Sequence, residues 1–397
     1  MPFWAFSQNN DSCSYNIEDD IKPFISFEAS SLSSFHSNPS YFNYFILLHY
    51  QNKEDVGKIS ESLGHNNLFG NLNLTNFNTG MIINKKANLG LSVSFRHSNY
   101  QILKTTDDAF DLFMKGNAAF AGKMADFSNT AFVSNSWQSF GLGIYKISPL
   151  QNNSCLLYGI SLNFINAGSL NKLSISRGSL LTSEDGDSVS LLSTFDLNES
   201  KNGKFLGMRS AGSGVGIDAF FKLKFNKQHF IEFSIFDIGL VNFKMRKLYI
   251  DTLLEFYGVD LLNGQKFDNS IIPVQLFDTL FNNNEAFQNS LQMLIFSFKL
   301  NYRYNFSNKL AISASIFSLT DNFLNPAVSA AVLYSPLRFL ELSMGAINDN
   351  FNHNGAVFSI NFKLKNTQLK ISSYHAQQIL PNSLAGQHVN FTFIQRF

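Results

Sequence analysis

The chain has 397 residues, of which 45% are hydrophobic, 15% aromatic (43 Phe, 13 Tyr and 2 Trp) and only 15% charged, with a net charge of +1 from 30 basic and 29 acidic residues. Disorder is excluded, because disordered segments are rich in charge and poor in aromatics, and the balanced charge offers nothing for nucleic acid to bind. A soluble surface usually carries about 25% Asp, Glu, Lys and Arg; with that cover missing, and no run of about 18 apolar residues to cross a membrane as a helix, two options remain: a large soluble β-protein, or a barrel of alternating strands in a membrane.

In chain order, Ala5-Phe6-Ser7 before Gln8 has the small-x-small form that ends a secretory signal, without the basic and apolar regions that precede such a site. Residues 1–7 are read as a signal-peptide remnant, 8–40 as an N-terminal periplasmic or plug segment, and 41–397 as the barrel. Period-2 alternation then recurs at 41–50, 69–76, 89–95, 130–145, 156–164, 172–181, 188–197, 215–225, 231–235, 296–304, 310–316, 328–334, 340–346, 358–365 and 389–397. A closed up-and-down barrel of a bacterial outer membrane takes an even number of strands, so an all-β, antiparallel transmembrane barrel of about 14 strands, between about 12 and 16, is expected. Short polar connections such as Asn226-Lys227-Gln228 and Ser307-Asn308-Lys309 read as hairpin turns, and longer ones lie near 51–68, 104–127 and 251–290. The last of these is too apolar for a freely solvated loop and is expected to fold over or into the barrel.

The two faces of the strands decide between soluble and membrane-bound. Phe296, Phe298, Leu300, Tyr302 and Tyr304 share one face, and Ser297, Lys299, Asn301 and Arg303 the other. In a soluble sandwich the polar face would be rich in Lys and Glu; here it is mostly Ser, Asn and Gly, which suits a confined lumen. Parity directs Asp218, Lys222, Lys224, Glu232, Lys299, Arg303, Lys363, Lys365 and Arg396 inward. The reading preferred for them is a salt-bridge network bracing the barrel or its plug, ahead of an anion-selective path.

Several motifs carry a resemblance. Gly214-Val215-Gly216-Ile217-Asp218 with Lys222 and Lys224, followed by Ser234-Ile235-Phe236-Asp237-Ile238-Gly239-Leu240-Val241, resembles a family of outer-membrane barrels of unknown function in diderm bacteria, loosely related to FadL- and PorV-type proteins. Lys115-Gly116-Asn117-Ala118 with Ala121-Gly122, and Ser37-Asn38-Pro39-Ser40, match the same pattern, the last with Ser40 in place of alanine. Val389, Phe391, Phe393 and the terminal Phe397 share a face, which resembles the last strand that the barrel assembly machinery reads; Gln395 departs from it. The resemblance implies a barrel with an N-terminal segment reaching inside, Asn38 and Pro39 among the plug residues, and it carries over no catalytic residue.

No enzyme is expected. The eight histidines show no metal spacing, Glu184-Asp185-Gly186-Asp187 reads as a glycine-centred turn rather than a calcium site, and Ser92, Ser94 and His97 read as satisfied lumen polar groups rather than a hydrolase site. Cys13 and Cys155 match neither a metal-ligand spacing nor a disulfide framework. No cofactor and no nucleic acid partner is expected. The expected partners are outer-membrane lipid, the barrel assembly machinery, a hydrophobic ligand and envelope proteins. The function expected from the resemblance is passage or capture of a small hydrophobic molecule, gated by the Asn38-Pro39 segment and loop 251–290; the alternative is an accessory barrel that binds partner proteins in secretion or envelope assembly.

Overall fold

A computed structural model describes residues 25–37, 63, 67–84, 86–151, 154–201, 203–205, 208–225, 228–257, 287–321, 324–349, 354–364, 366–374 and 386–396. The strands are β1 Ile25–Ser37, β2 Asn67–Asn84, β3 Leu89–Thr105, β4 Met124–Asp126, β5 Thr130–Pro149, β6 Cys155–Thr182, β7 Ser188–Ser200, β8 Gly203–Phe205, β9 Met208–Ser210 and β10 Gly212–Phe225. They continue with β11 His229–Tyr257, β12 Gln288–Met293, β13 Ser297–Asn305, β14 Leu310–Leu319, β15 Ala327–Leu337, β16 Leu340–Asn348, β17 Asn354–Lys363, β18 Thr367–Tyr374 and β19 Gly386–Arg396. An α-helix, α1 Asp107–Lys115, follows β3; Thr106 caps it by accepting the Ala109 N–H at 3.1 Å.

The pairings run β1-β2-β3-β5-β6-β10-β11-β13-β14-β15-β16-β17-β18-β19 and return to β1, all antiparallel, closing a wall of 14 strands. Short connections after β2, β5, β10, β13, β15 and β17 gather at one end, where β1 begins and β19 finishes; the longer connections gather at the other. In an outer-membrane barrel the short turns face the periplasm.

Alternation sets the solvent of each face. Outward residues of β10 are exposed at Val215, Ile217, Phe221 and Phe225, whereas inward Gly216, Asp218 and Lys222 are buried. The same holds for Phe358, Ile360 and Phe362 against Val357, Ser359 and Asn361, and for Val389, Phe391 and Phe393 against Asn390, Thr392 and Ile394. Exposed aliphatic and aromatic side chains outside, with buried polar ones inside, invert the order of a water-soluble protein, and a closed wall leaves no unpaired edge in hydrocarbon. The chain is an outer-membrane β-barrel. From Val215 to Phe225 the strand covers about 33 Å, or about 25 Å of height at the usual tilt, matching the apolar band of such barrels.

Aromatic rows bound that band. At the short-turn end Phe225, His229, Tyr302, Tyr304 and Phe306 cluster, and His229 Nδ1 lies 2.8 Å from the Tyr302 hydroxyl. At the other end Phe77, Phe95, Phe140 and Phe164 stand in register on four adjacent strands, with the Phe95 and Phe140 rings 4.9 Å apart. Between these rows Leu162 is 65% exposed. Leu162→Arg is expected to destabilise the barrel in lipid vesicles by about 2–4 kcal/mol, and Thr75→Arg, past the upper row, by at most about 1 kcal/mol. Urea titration of the heat-modifiable folded form measures both, and equal costs would contradict the placement of the band.

Several sequence-based boundaries move. Residues 25–37, assigned to the N-terminal segment, form a wall strand, and β18 was not anticipated. Stretches 156–164 and 172–181 are one strand of 28 residues. Stretch 188–197 lies in β7, which fills the same slot of the wall as β10 but further from the short turns: β6 and β11 pair with β10 along one half and with β7 along the other. The small hairpin β8–β9 interrupts this slot. Its two ends meet at one residue, since the Lys201 N–H donates to the Lys244 carbonyl at 2.7 Å and the Lys244 N–H to the Ala211 carbonyl at 3.2 Å. Loop 104–127 contains the end of β3, α1 and β4, and loop 251–290 contains the ends of β11 and β12. Residues 1–24, the stretch 41–50 and the Asn38-Pro39 segment lie outside the described residues.

Candidate functional site

The inner wall carries two tiers. The tier nearer the short turns is ionic. Asp218 on β10, Lys222 on β10, Glu232 on β11, and Lys299 and Arg303 on β13 face inward and are buried, as parity requires. Lys222 lies directly across from Glu232 in the β10–β11 register, with nitrogen and oxygen 3.3 Å apart; Lys299 approaches the other Glu232 oxygen at 3.7 Å, and Asn301 donates to it at 2.7 Å. Arg303 and Lys363 share Glu341 of β16, at 3.1 and 2.9 Å, and Asn361 donates to its other oxygen at 3.2 Å. Lys224 is half-buried on the same face. The side chains of Lys365 and Arg396, with Phe397, lie outside the described residues.

A third cluster draws on residues that parity alone does not gather. Arg96 on β3 donates through Nη2 to Asp218 at 2.8 Å and through Nη1 to Asp237 of β11 at 2.6 Å, while its guanidinium sits 4.6 Å from the centre of the Phe236 ring. The Asp237 backbone N–H donates to Asp218 at 2.7 Å. β3 and β10 are separated in the wall by β5 and β6, so the ion pair is a chord across the lumen rather than a rung between neighbours. Small inward residues make room beneath it. A methyl added to Gly141 would collide with the Ser94 hydroxyl and the Asn163 side chain.

Parity misses Asp237 for a definable reason. The β10–β11 register shifts between Ile217 and Ala219, and Asp237 has φ 61°, a β-bulge that turns an expected outward position inward. Arg96 follows the last residue of an alternating stretch, one place past Phe95, and Glu341 lies inward within 340–346; both were readable. Glu28 on β1 and Lys370 on β18 also face inward, on the two unanticipated strands. Cations still outnumber acids once Arg96, Asp237, Glu341, Glu28 and Lys370 are included, but Arg96, Lys222, Lys299, Arg303 and Lys363 each lie against a carboxylate, which favours bracing over an anion-selective path.

The tier nearer the loops is apolar. Tyr100, Ile102, Val133, Trp137, Ile165 and Phe243 belong to one buried cluster, and Phe317, Leu319, Ile347 and Tyr374 to a second. Leu72, Ile295 and Leu324 pack against both, so the layer reaches across the lumen from wall to wall. Beside it the wall is interrupted. On the side of β11 away from β10, pairing to β13 stops at Phe236 opposite Ser297, and pairing to β12 resumes at Leu240 opposite Met293. Between these points Leu294 N–H donates to the Gly239 carbonyl at 2.9 Å, whereas Phe296 is bonded instead to Thr320 of the neighbouring connection, whose hydroxyl accepts from its N–H and donates to its carbonyl, both at 3.1 Å. Ile238, Leu240 and Met293 are exposed outward here, so the interruption lies within the lipid band.

His97 departs from expectation. Ser92 and Ser94 do face the lumen, but His97 stands on the outer face, in a recess of about 320 Å³ with Asn99, Gln101, Ser134 and Gln138. Among the described residues no group of three or more His, Cys, Asp or Glu could hold a metal ion.

A family model described as "Family of unknown function (DUF5723)" matches residues 22–373. No curated protein matches the chain. Among solved structures it is similar to the TodX deltaS2S3 mutant monoaromatic hydrocarbon channel, at 8% identity and TM-score 0.44 over 95% of this chain and 90% of that one. It is also similar to a FadL homologue of Pseudomonas aeruginosa, at 9%, 0.41, 95% and 90% respectively, and to the translocator domain of the autotransporter NalP from Neisseria meningitidis, at 7%, 0.33, 98% and 93%. Likeness of this order says nothing of substrate, and the barrel assignment rests on the closed pairings above.

Proposed function

Because the chain belongs to this family of unknown function, its activity has to be read from its own geometry, and we propose passive uptake or binding of a small hydrophobic molecule. The observation that carries the reading is the meeting of the apolar tier with the interruption of the wall at Gly239, Leu294 and Phe296, inside the lipid band. An apolar solute entering from the loop side finds a dry surface of aromatic and aliphatic side chains, where transfer from water is favourable. Straight passage onward is opposed by the ionic tier, whose charges would have to lose their partners to admit it. The interruption offers a side route into hydrocarbon, where no unpaired charge stands in the way.

Val241 is fully buried in the apolar tier, next to the interruption. Val241→Asn is expected to lower uptake of the hydrophobic fluorophore N-phenyl-1-naphthylamine into cells by about tenfold, through the cost of leaving an amide unpaired in an apolar site. The variant must retain heat-modifiable migration on a gel, which reports the closed barrel. Unchanged uptake in a folded variant overturns the reading. So does a stoichiometric partner complex recovered from native membranes by a protein that takes up no probe, which would favour the accessory role in secretion or envelope assembly.

A further inference from the structure

The outer wall carries a recess that the uptake route does not use. Immediately past the row Phe77, Phe95, Phe140 and Phe164, on the side of the long loops, the next outward residues in register are Thr75, His97, Gln138 and Asn166. The rows beyond continue polar, with Asn99 opposite Ser136, and Gln101 opposite Ser134. β6 bulges where Ser136 is followed by Trp137, so that Ser136 faces Ser169 and Trp137 faces Ala167, and the wall is hollowed there to about 320 Å³.

The chemistry of the lining is narrow. Apart from the Trp137 ring and Gly168 at its floor it presents amides, hydroxyls and one imidazole, with no Asp, Glu, Lys or Arg. Part of the set is held in place: Asn166 donates to Gln138 Oε1 at 3.0 Å, and the Ser136 and Ser169 hydroxyls lie 3.0 Å apart. Asn99 and Gln101 are free to meet a ligand: among the described residues their side-chain amides make no hydrogen bond, whereas the His97 ring is held by a hydrogen bond with the Trp137 backbone and its Nδ1 is buried. An anionic ligand would find no charged partner here, and an apolar one would strand these amides. A molecule dense in hydroxyl groups, each both donor and acceptor, satisfies them. The volume is at the lower end of the range for small-molecule sites, about 300–1,000 Å³.

Position narrows the ligand further. The recess opens sideways at the level where the lipid band ends, on the outer-leaflet side, with a row of phenylalanine rings directly beneath. We propose that this recess binds an uncharged saccharide, held by Asn99, Gln101 and Ser134 beside the His97 ring, with the phenylalanine row placed to receive the acyl chains when the sugar is the head of a glycolipid. Asn99, Gln101, Ser134 and His97 face away from the lumen, and only Trp137 of the lining also belongs to the lumenal apolar tier.

Native mass spectrometry of the full chain tests this. The barrel is released from phosphatidylethanolamine vesicles with or without digalactosyldiacylglycerol, and, separately, titrated with free lactose. Wild type is expected to retain the glycolipid, and Asn99→Leu with Gln101→Leu to retain it at least about tenfold less, since two hydrogen-bonding amides are lost. Both must migrate as the closed, heat-modifiable form. Binding of lactose as well, lost in the same variant, shows that the sugar alone suffices and that a free saccharide is a source of the ligand. Equal retention by wild type and variant, or retention of neither sugar by wild type, overturns the proposal. Should the double variant fail to close, Ser134→Val replaces it under the same criteria.

Discussion

Replacing Arg96 by methionine should cost the folded barrel about 3–5 kcal/mol, the range found when one partner is removed from a buried ion cluster. The arginine satisfies two carboxylates at once, and both it and its partners are nearly inaccessible, with side-chain exposures of 4–6%. Without it Asp218 and Asp237 would face one another across the backbone N–H that links them. The control separates charge from packing. Adding Asp218→Asn and Asp237→Asn to Arg96→Met removes the stranded charges and should recover most of the loss, because a buried ionic group and a neutral replacement of similar volume are often close in energy. Urea midpoints in lipid vesicles measure all of these. A single-variant cost below about 1 kcal/mol would place the cluster in the class of weak surface pairs, contrary to its burial.

The second large effect concerns the ionic tier as a barrier. Substituting Lys222, Glu232, Lys299, Arg303, Glu341 and Lys363 together by serine removes the side chains that cross-link β10, β11, β13, β16 and β17 within the lumen. In planar bilayers the wild-type barrel is expected to pass little ionic current, and the variant to show large, stepwise conductance once Leu72, Ile295 and Leu324, which bridge the apolar tier across the lumen, are also replaced by serine. Large currents through the unmodified barrel would show that the tier is a wall lining instead. Anion preference in such currents would then restore the selective path that the ion pairing argues against.

How much of this was legible beforehand depends on strand parity. Where an outward face is densely aromatic, as at Phe296 to Tyr304, a two-residue period is unmistakable, and the inward Lys299 and Arg303 follow from it. The strand Ile25–Ser37 hides because serine occupies both of its faces, so nothing alternates. Tyr41 to Tyr50 shows the opposite risk, since apolar density there says nothing of which elements it joins. The Arg96 chord was out of reach for two further reasons. It joins strands whose separation in the wall is set by closure, and one of its acids is turned inward by a bulge, which shifts parity by one place. The departure of Gln395 from an apolar terminal pattern has a local cause: Thr367 on the adjacent strand donates to its Oε1 at 2.7 Å. Parity places His97 with Phe95 on the outer face; its polarity alone suggests the lumen, and misleads because the lipid band has already ended there.

The hairpin β8–β9 leaves the wall and returns to it at a single backbone residue, Lys244. Chain can therefore be added or removed there without altering the register of any strand on either side, and each doubling of such a detour costs only about 0.6 kcal/mol in closure entropy. Lys201 and Ala211 thus mark a natural splice point. An epitope or affinity tag grafted between them would be displayed by a barrel whose fourteen-strand closure need not be redesigned.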